Sequence, residues 1–376
     1  MTVKDTKQQK LPIIGILGDG QLSMMMAHAY QGLGGQAFVY GGSDSSPASQ
    51  VADKLFVGDT DDFENLEDFF RAVDVVTLEN EFLDSSFLSL ASFRYATPVL
   101  PDPNRFGLIE DKLSEKQFFR ATDISIADFF EVKSEQDLLD TPGYLKLAKG
   151  GYDGIGTYRV DNREQAIAIF NSIKSVGKVL FEKAINYKKE LSLIAVAGSS
   201  DLVFYPMVET HQDEGTCRYV SYPSGIASDI EREAISQVKR IMQKLDTRGV
   251  FAFEFFLTQD DQLILNESAP RPHNSGHISL DLFNCSQFEN HMRAVAGLEI
   301  INPEPLHDSM LMVNLLGTQE GPFDADTVLS KTNNPQSSVV LYRKANSRLK
   351  RKMGHINFWG EDQRQRAESI LLDLEI

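Results

Sequence analysis

Short apolar runs and amphipathic stretches alternate along the first hundred residues. Residues 12–17, 37–40, 54–57, 75–78 and 98–100 have the length and apolar content of buried strands, whereas 21–33 and 63–72 carry apolar side chains at helical spacing. Strands separated by helices pair in parallel, so this region reads as a doubly wound sheet that ends near Pro101 and Pro103. A charged helix over 108–122 follows, then a mixed α and β stretch holding the glycine-dense segment 149–156. From 179 onward strand patterns dominate: VLFEKAI, ELSLIAVAG, LVFYPMVE and RYVSYP. A helix over 230–245 precedes two strands, 251–257 and 262–268, around the polar turn TQDD. The chain beyond 300 forms a further strand-rich unit with a basic cluster.

Charge narrows the partners. Lys and Arg number 37 against 54 Asp and Glu, a formal net charge of −17 over 376 residues. A surface that grips nucleic acid or anionic lipid as a whole is excluded, but a local basic pocket for a phosphate is not. Apolar residues at 42% and charged residues at 24% suit a chain with large cores rather than long disorder. The two cysteines, Cys217 and Cys285, supply neither a disulfide framework nor a zinc cluster, which fits a reducing cytoplasm. No signal-peptide pattern and no run near the ~20 apolar residues of a membrane span is expected.

Five features carry candidate chemistry. The turn 18–23 (GDGQLS) follows a strand and opens a helix, where free N–H groups can meet an anion. Ser23 occupies the third glycine position of a dinucleotide fingerprint, and strand two ends at Gly41 and Gly42 with no acid for a ribose. An anion-binding or packing turn is expected there rather than a nicotinamide site. Second, if TQDD (258–261) closes a hairpin, Leu257 faces Gln262 and Glu267 faces Ala252. Glu254 and Glu267 then become diagonal neighbours on one face, roughly 7–8 Å apart. That spacing suits shared Mg²⁺, which takes one or two carboxylates and completes its shell with water and phosphate. Two solvated glutamates are the plainer alternative, but FAFEFF is an apolar setting for an idle carboxylate. Third, four glycines between 149 and 156 give a backbone able to wrap phosphate, framed by Lys112 and Lys146. Fourth, PRPHNSGH (270–277) displays Arg271, His273 and Asn274 on a stiff loop directly after the Glu267 strand. Last, Arg343, Lys344, Arg348, Lys350, Arg351 and Lys352 place six positive charges in ten residues, a fit for a small phosphate monoester.

In this order the features resemble the ATP-grasp superfamily, and within it the 5-(carboxyamino)imidazole ribonucleotide synthases, ATP-dependent carboxylases of purine (IMP) biosynthesis. The resemblance rests on IGILGDGQL (14–22), PASQVADKLFVGD (47–59), DVVTLENE (74–81), GGYDGIG (150–156), NESAPRPHNSGH (266–277), SQFENHMRAVAGL (286–298) and RKMGH (351–355). It implies an α/β and α+β chain in three parts: a Rossmann-like preATP-grasp domain over 1–107, an ATP-grasp domain over 108–300 with a lid at about 122–185, and a β-rich domain over 301–376. It implies that ATP contacts Lys112, Lys146, the loop Gly151, Tyr152, Asp153, Gly154, Ile155, Gly156 and Thr157, and the adenine hinge Glu182, Lys183, Ala184 and Ile185. Glu190 would hold the ribose, with His211 and Asn266 nearby, and Mg²⁺ would sit on Glu254 and Glu267. The aminoimidazole ribotide would meet Gln21, Leu22, Glu79, Tyr152, Arg271, His273, Asn274, Lys344, Arg351 and Lys352. Bicarbonate would be activated as carboxyphosphate, with Arg271 clamping the anion and His273 or Asp153 moving the amine proton. A cytoplasmic homodimer, with neither nucleic acid nor membrane as partner, is also implied. The sequence departs from the family pattern at Asp19, Ser23, Met24, Asn80, Ile155 and Thr157. A formate-dependent ribotide transformylase is the nearest rival; a Rossmann dehydrogenase and an inactive ATP-binding regulator stand further off.

Overall fold

The computed structural model describes residues 10–59, 63–80, 83–150, 156–213, 215–332 and 335–374. β1 (Ile13–Leu17), β2 (Gln36–Gly41), β3 (Lys54–Val57) and β4 (Val75–Leu78) pair in parallel in the order β3-β2-β1-β4. The strand expected at 98–100 shrinks to one parallel bridge, Val76↔Val99, because Pro98 and Pro101 carry no N–H to extend the ladder. The helix Gln21–Gly32 buries Met24, Met25, Met26 and Tyr30 in a core that also contains Phe288 and Met292 from the helix Gln287–Ala296.

A second, antiparallel sheet comprises β5 (Phe129–Val132), β6 (Gly143–Leu147), β7 (Thr157–Val160) and β8 (Val179–Lys183), in the order β5-β8-β6-β7. The helix Arg163–Ile173 covers it, burying Ala166, Phe170 and Ile173 against Leu145 and Phe181. The charged helix is shorter than its pattern suggests, spanning Lys112–Ala121. Asp111 caps it by accepting from the Leu113 and Ser114 N–H groups, and a separate 3₁₀ turn fills Gly107–Ile109.

The third sheet holds most of the remaining strands: β9 (Tyr187–Ala197), β10 (Leu202–Phe204), β11 (Val208–Asp213), β12 (Thr216–Tyr222), β13 (Gly249–Thr258), β14 (Leu263–Ala269) and β15 (Met310–Leu316). After them come β16 (Gly321–Pro322), β17 (Ser337–Leu341), β18 (Asn346–Ser347) and β19 (Lys352–Trp359), of which β16 and β18 form a small ribbon of their own. The large sheet is antiparallel, ordered β14-β13-β9-β11-β12-β15-β19-β17, with β10 on β9. The single strand expected over LVFYPMVE is instead split at Tyr205-Pro206-Met207, where proline interrupts the donors. The helix Ser228–Leu245 packs Ile230, Ala234, Val238, Ile241 and Leu245 onto one face of this sheet.

One buried relay ties the parts together. The Val250 N–H donates to His291 Nδ1 at 3.1 Å, so the ring proton sits on Nε2 and donates to Thr77 Oγ1 at 2.7 Å. Thr77 in turn donates to the Leu100 carbonyl at 2.7 Å. Among the described residues, no helix is long and apolar enough to cross a membrane.

Candidate active site

β13 and β14 pair Leu257 with Leu263, and an extra residue at Asn266 then shifts the ladder so that Glu254 lies directly opposite Glu267. The register expected from the sequence is corrected twice. The turn is longer, with Asp261 in the left-handed region at φ 60°, and a bulge follows it in β14. The shared face stands, but the two acids face each other rather than lying on a diagonal.

Opposed carboxylates repel unless something neutralises them. Lys112 Nζ lies 2.8 Å from Glu267 Oε2, and its charge holds the Glu267 carboxyl well below the usual range. Burial pushes Glu254 up, and the charges of Glu267 and Glu190 push it further. His273 Nε2 stands 3.6 Å from Glu254 Oε1. Beside the pair, Asn266 Oδ1 is buried with no hydrogen-bond partner among the described residues. No group of three or more His, Cys, Asp or Glu suited to a metal occurs among the described residues. Glu254, Glu267 and the adjacent Asn266 amide oxygen are hard oxygen donors, the kind that fit Mg²⁺.

Lysines surround this hairpin. Lys146 on β6 and Lys116 on the helix Lys112–Ala121 both bind Glu182 on β8, at 2.8 Å and 3.0 Å. Burial opposes the Glu182 charge, yet Lys146 and Lys116 outweigh it and keep this carboxyl below its ordinary value. The backbone of the expected adenine segment is anchored, since Lys183 and Ala184 donate N–H groups to Asp128 and Pro142 carbonyls. Ile185 follows just before β9. Glu190 accepts from the Tyr187 hydroxyl and, with His211, lines a cavity of about 480 Å³. The His211 ring stacks on Tyr219 with centroids 4.1 Å apart. Thr157 pairs with Lys146, and Gly156 adopts φ 75°. Gly151, Tyr152, Asp153, Gly154 and Ile155, expected in the phosphate loop, lie outside the described residues.

The stiff loop behaves in two ways. His273 Nδ1 contacts Ser275 Oγ at 2.9 Å, leaving Nε2 toward Glu254. Asn274 is instead buried in a reciprocal amide pair with Asn314, at 2.9 and 2.8 Å. Arg271 donates to the Pro272 carbonyl at 3.0 Å. The basic cluster approaches from the far end of the sheet. Lys344 Nζ donates to the Lys352 carbonyl at 2.8 Å and Arg351 to the Asn346 carbonyl at 2.6 Å. Burial, then the charge of Arg351, lowers the Lys344 amine to about 8, and Glu79 acts against them. Lys352 lies close enough to Glu254 to favour its ionised form.

The first turn does not offer an open anion site, and of the two expected roles the packing one fits. Glu79 Oε2 accepts from the Gly20 N–H at 2.6 Å and Oε1 from the Leu22 N–H at 3.1 Å, so an internal carboxylate fills the helix N-terminus. A pyrophosphate would meet occupied donors, and the dehydrogenase alternative loses its footing. Gln21 is half-buried at the same turn, while the Leu22 side chain belongs to the core.

Two further charged residues, Glu115 and Lys116, were not singled out from sequence. They are 3% and 2% exposed. Their spacing of three and four residues from Lys112 was the available signal, since it puts all three on one helical face.

Three family models match in succession: the ribonucleotide synthetase preATP-grasp domain over residues 11–110, the ATP-grasp domain over 115–288, and the phosphoribosylaminoimidazole carboxylase C-terminal domain over 310–369. The N5-carboxyaminoimidazole ribonucleotide synthase of Staphylococcus aureus (strain COL) is 32% identical over 370 residues, covering 96% of each chain. The crystal structure of a Staphylococcus aureus N5-carboxyaminoimidazole synthetase complexed with ADP superposes with a TM-score of 0.88 at 30% identity, over 99% of both chains. An Aspergillus clavatus N5-carboxyaminoimidazole synthase in complex with ADP and 5-aminoimidazole ribonucleotide gives 0.85 at 27% identity, over 97% of this chain and 98% of that one. By sequence across nearly its whole length, and by fold, the chain belongs to the N5-carboxyaminoimidazole ribonucleotide synthase family of ATP-grasp ligases.

Proposed function

We propose that this protein joins a carboxyl group from bicarbonate to the exocyclic amine of 5-aminoimidazole ribonucleotide at the expense of ATP, in purine biosynthesis. The observation that carries the reading is Glu254 opposite Glu267, with Lys112 on one acid and His273 beside the other. ATP would lie between the lid sheet and β9, its phosphates toward Lys112 and Lys146 and its ribose toward Glu190 and His211. Mg²⁺ would be held by Glu254, Glu267 and the Asn266 amide oxygen. When bound, it supplies Lewis-acid neutralisation of phosphate charge.

A bicarbonate oxygen attacks the γ-phosphorus, ADP departs, and carboxyphosphate results. Water destroys this mixed anhydride, so the lid must close before chemistry. The ribotide amine then attacks the carboxyl carbon, or the carbon dioxide released from it, and phosphate leaves. Arg271 clamps the anionic intermediate through its planar fork. His273 or Asp153 accepts the amine proton, and Lys344, Arg351 and Lys352, with Gln21, Leu22, Glu79, Tyr152 and Asn274, receive the ribotide. The protein acts in the cytoplasm, where its buried free thiols Cys217 and Cys285 stay reduced. It works as a homodimer through the N-terminal part, where Phe93, Leu90 and Val57 are exposed. The test is ADP release at fixed ATP with bicarbonate or formate, with and without the ribotide. Release that needs bicarbonate and rises with ribotide supports the assignment. Formate dependence would transfer it to the transformylase class, and nucleotide binding without release to an inactive regulator.

A further inference from the structure

β14 is the outermost strand of the large sheet, so its free edge leaves backbone groups to be satisfied in a buried setting. Leu265 N–H is taken by the Ser125 carbonyl at 2.8 Å. Past that point the helix Lys112–Ala121 replaces a neighbouring strand with side chains. Lys116 Nζ donates to the Asn266 carbonyl at 2.6 Å. The Ser268 N–H and hydroxyl both donate to Glu115 Oε1 at 2.7 Å. Between them Lys112 reaches Glu267 at 2.8 Å. Three residues on one helical face thus grip three consecutive residues of the bulged strand.

Charged groups buried this deeply are a poor route to stability, because desolvation offsets most of the Coulombic gain and apolar packing does as well. What hydrogen bonds to the backbone on both sides of one residue do supply is a fixed position. We infer that Glu115 and Lys116 are positioning residues, which clamp Asn266 and Ser268 so that the bulge presents Glu267 and the Asn266 amide oxygen to the metal opposite Glu254. The inference rests on the metal reading given above. It assigns these residues no contact with metal or substrate. A purely structural edge cover would leave metal binding unchanged.

The experiment measures Mn²⁺ binding by electron paramagnetic resonance with ADP present and no turnover, alongside ADP affinity in EDTA by calorimetry. Removing groups that orient metal ligands typically costs 10–100-fold in metal affinity. Lys116→Met and Glu115→Ala should each weaken Mn²⁺ by roughly tenfold or more, while in Glu115→Ala, which leaves the Lys116–Glu182 pair intact, ADP affinity in EDTA stays within about threefold. Glu115→Gln keeps the acceptor for Ser268 and should stay within about threefold of wild type. If the larger truncations do not fold, Ser268→Ala decides, with a loss of about threefold to tenfold expected; wild-type Mn²⁺ affinity there overturns the inference. Equal losses of Mn²⁺ and metal-free ADP in Glu115→Ala also overturn it, as does Glu115→Gln matching Glu115→Ala. Glu267→Gln in the same assay reads the metal assignment itself. Unchanged Mn²⁺ binding there overturns that assignment and the clamp together. Loss there, with retention in Glu115→Ala and Lys116→Met, overturns the clamp alone.

Discussion

Replacing His291 with glutamine should make the folded protein less dependent on pH, by an amount set by one proton. Burial lowers His291 from 6.5 to about 3, and the same cause lowers His355 to about 3 and His277 well below 6.5. In the native chain burial keeps His291 neutral, with Nδ1 already accepting from Val250 and Nε2 donating to Thr77. The unfolded chain takes that proton up as pH falls through 6.5, so acid favours unfolding and the stabilising contribution is whole only above that value. Between about pH 7.5 and 5.5 one such histidine costs roughly 1.4 kcal/mol, and three cost about 4 kcal/mol of a total that is commonly about 5–15. Glu115, raised by burial to about 7, works in the other direction, since the native state holds its proton longer than the unfolded state. The wild-type slope is therefore a difference, and only the comparison with a variant isolates the histidine. His291→Gln keeps a donor toward Thr77, loses the acceptor for Val250, and should cost about 1–3 kcal/mol near pH 7.5. By about pH 5.5 that deficit should shrink by roughly 1.4 kcal/mol. Urea unfolding of both proteins at the two pH values measures it. A deficit that is the same at both, or larger in acid, would refute the account of His291 as a proton-excluding pin.

Other expectations are simpler to read. Glu182→Ala would leave Lys116 and Lys146 buried without their shared counter-charge, and should destabilise the protein by about 3–5 kcal/mol in a urea titration. In Gly20→Ala the new methyl would collide with Glu79 Oε1, so the cap must open; a loss of about 1–3 kcal/mol is expected, and wild-type stability would mean Glu79 yields freely. Arg351→Ala should raise the Michaelis constant for the ribotide about ten- to a hundredfold through loss of a charge-assisted bond, with ATP kinetics unchanged. Equal ribotide constants would remove this residue from the phosphate site. Ile155→Lys, which restores the common family residue, should lower the Michaelis constant for ATP, and an unchanged value would place the phosphates elsewhere.

Much of the architecture is legible because its signals are local. β3, β4 and the helix Phe63–Ala72 sit where the apolar pattern puts them. What escapes is set by distant partners. The hairpin register depends on a bulge, and nothing in FAFEFF or LILNES announces that Asn266 is the extra residue. GDGQL carries the glycines of an anion turn, but the anion is Glu79, some sixty residues away in sequence. Asn274 belongs to a loop of ligand-like residues, and the partner that orients it, Asn314, lies forty positions on. The helix Gln363–Leu374 has only a weak apolar stripe, so packing against β15 and β19 defines it more than its own sequence does.

The seam between β12 and β15 has a bearing on how such chains can be recombined. Tyr219 pairs with Val313 and Tyr222 with Met310, so the C-terminal strands continue the ladder rather than docking beside it. Side chains alternate faces along a strand, and a slip of one position reverses every one of them. A C-terminal segment borrowed from a relative would bring Lys344, Arg351 and Lys352 to the hairpin of Glu254 and Glu267 only if it joined in this register. Crossovers placed in 223–227 or 297–309 that preserve the count should give working chimaeras, whereas a single-residue insertion inside β15 should yield a foldable strand that carries its basic loop away from Glu254. Inheritance of the two ends of this surface is thereby coupled through hydrogen bonds of the main chain as well as through side-chain pairs such as Asn274 with Asn314.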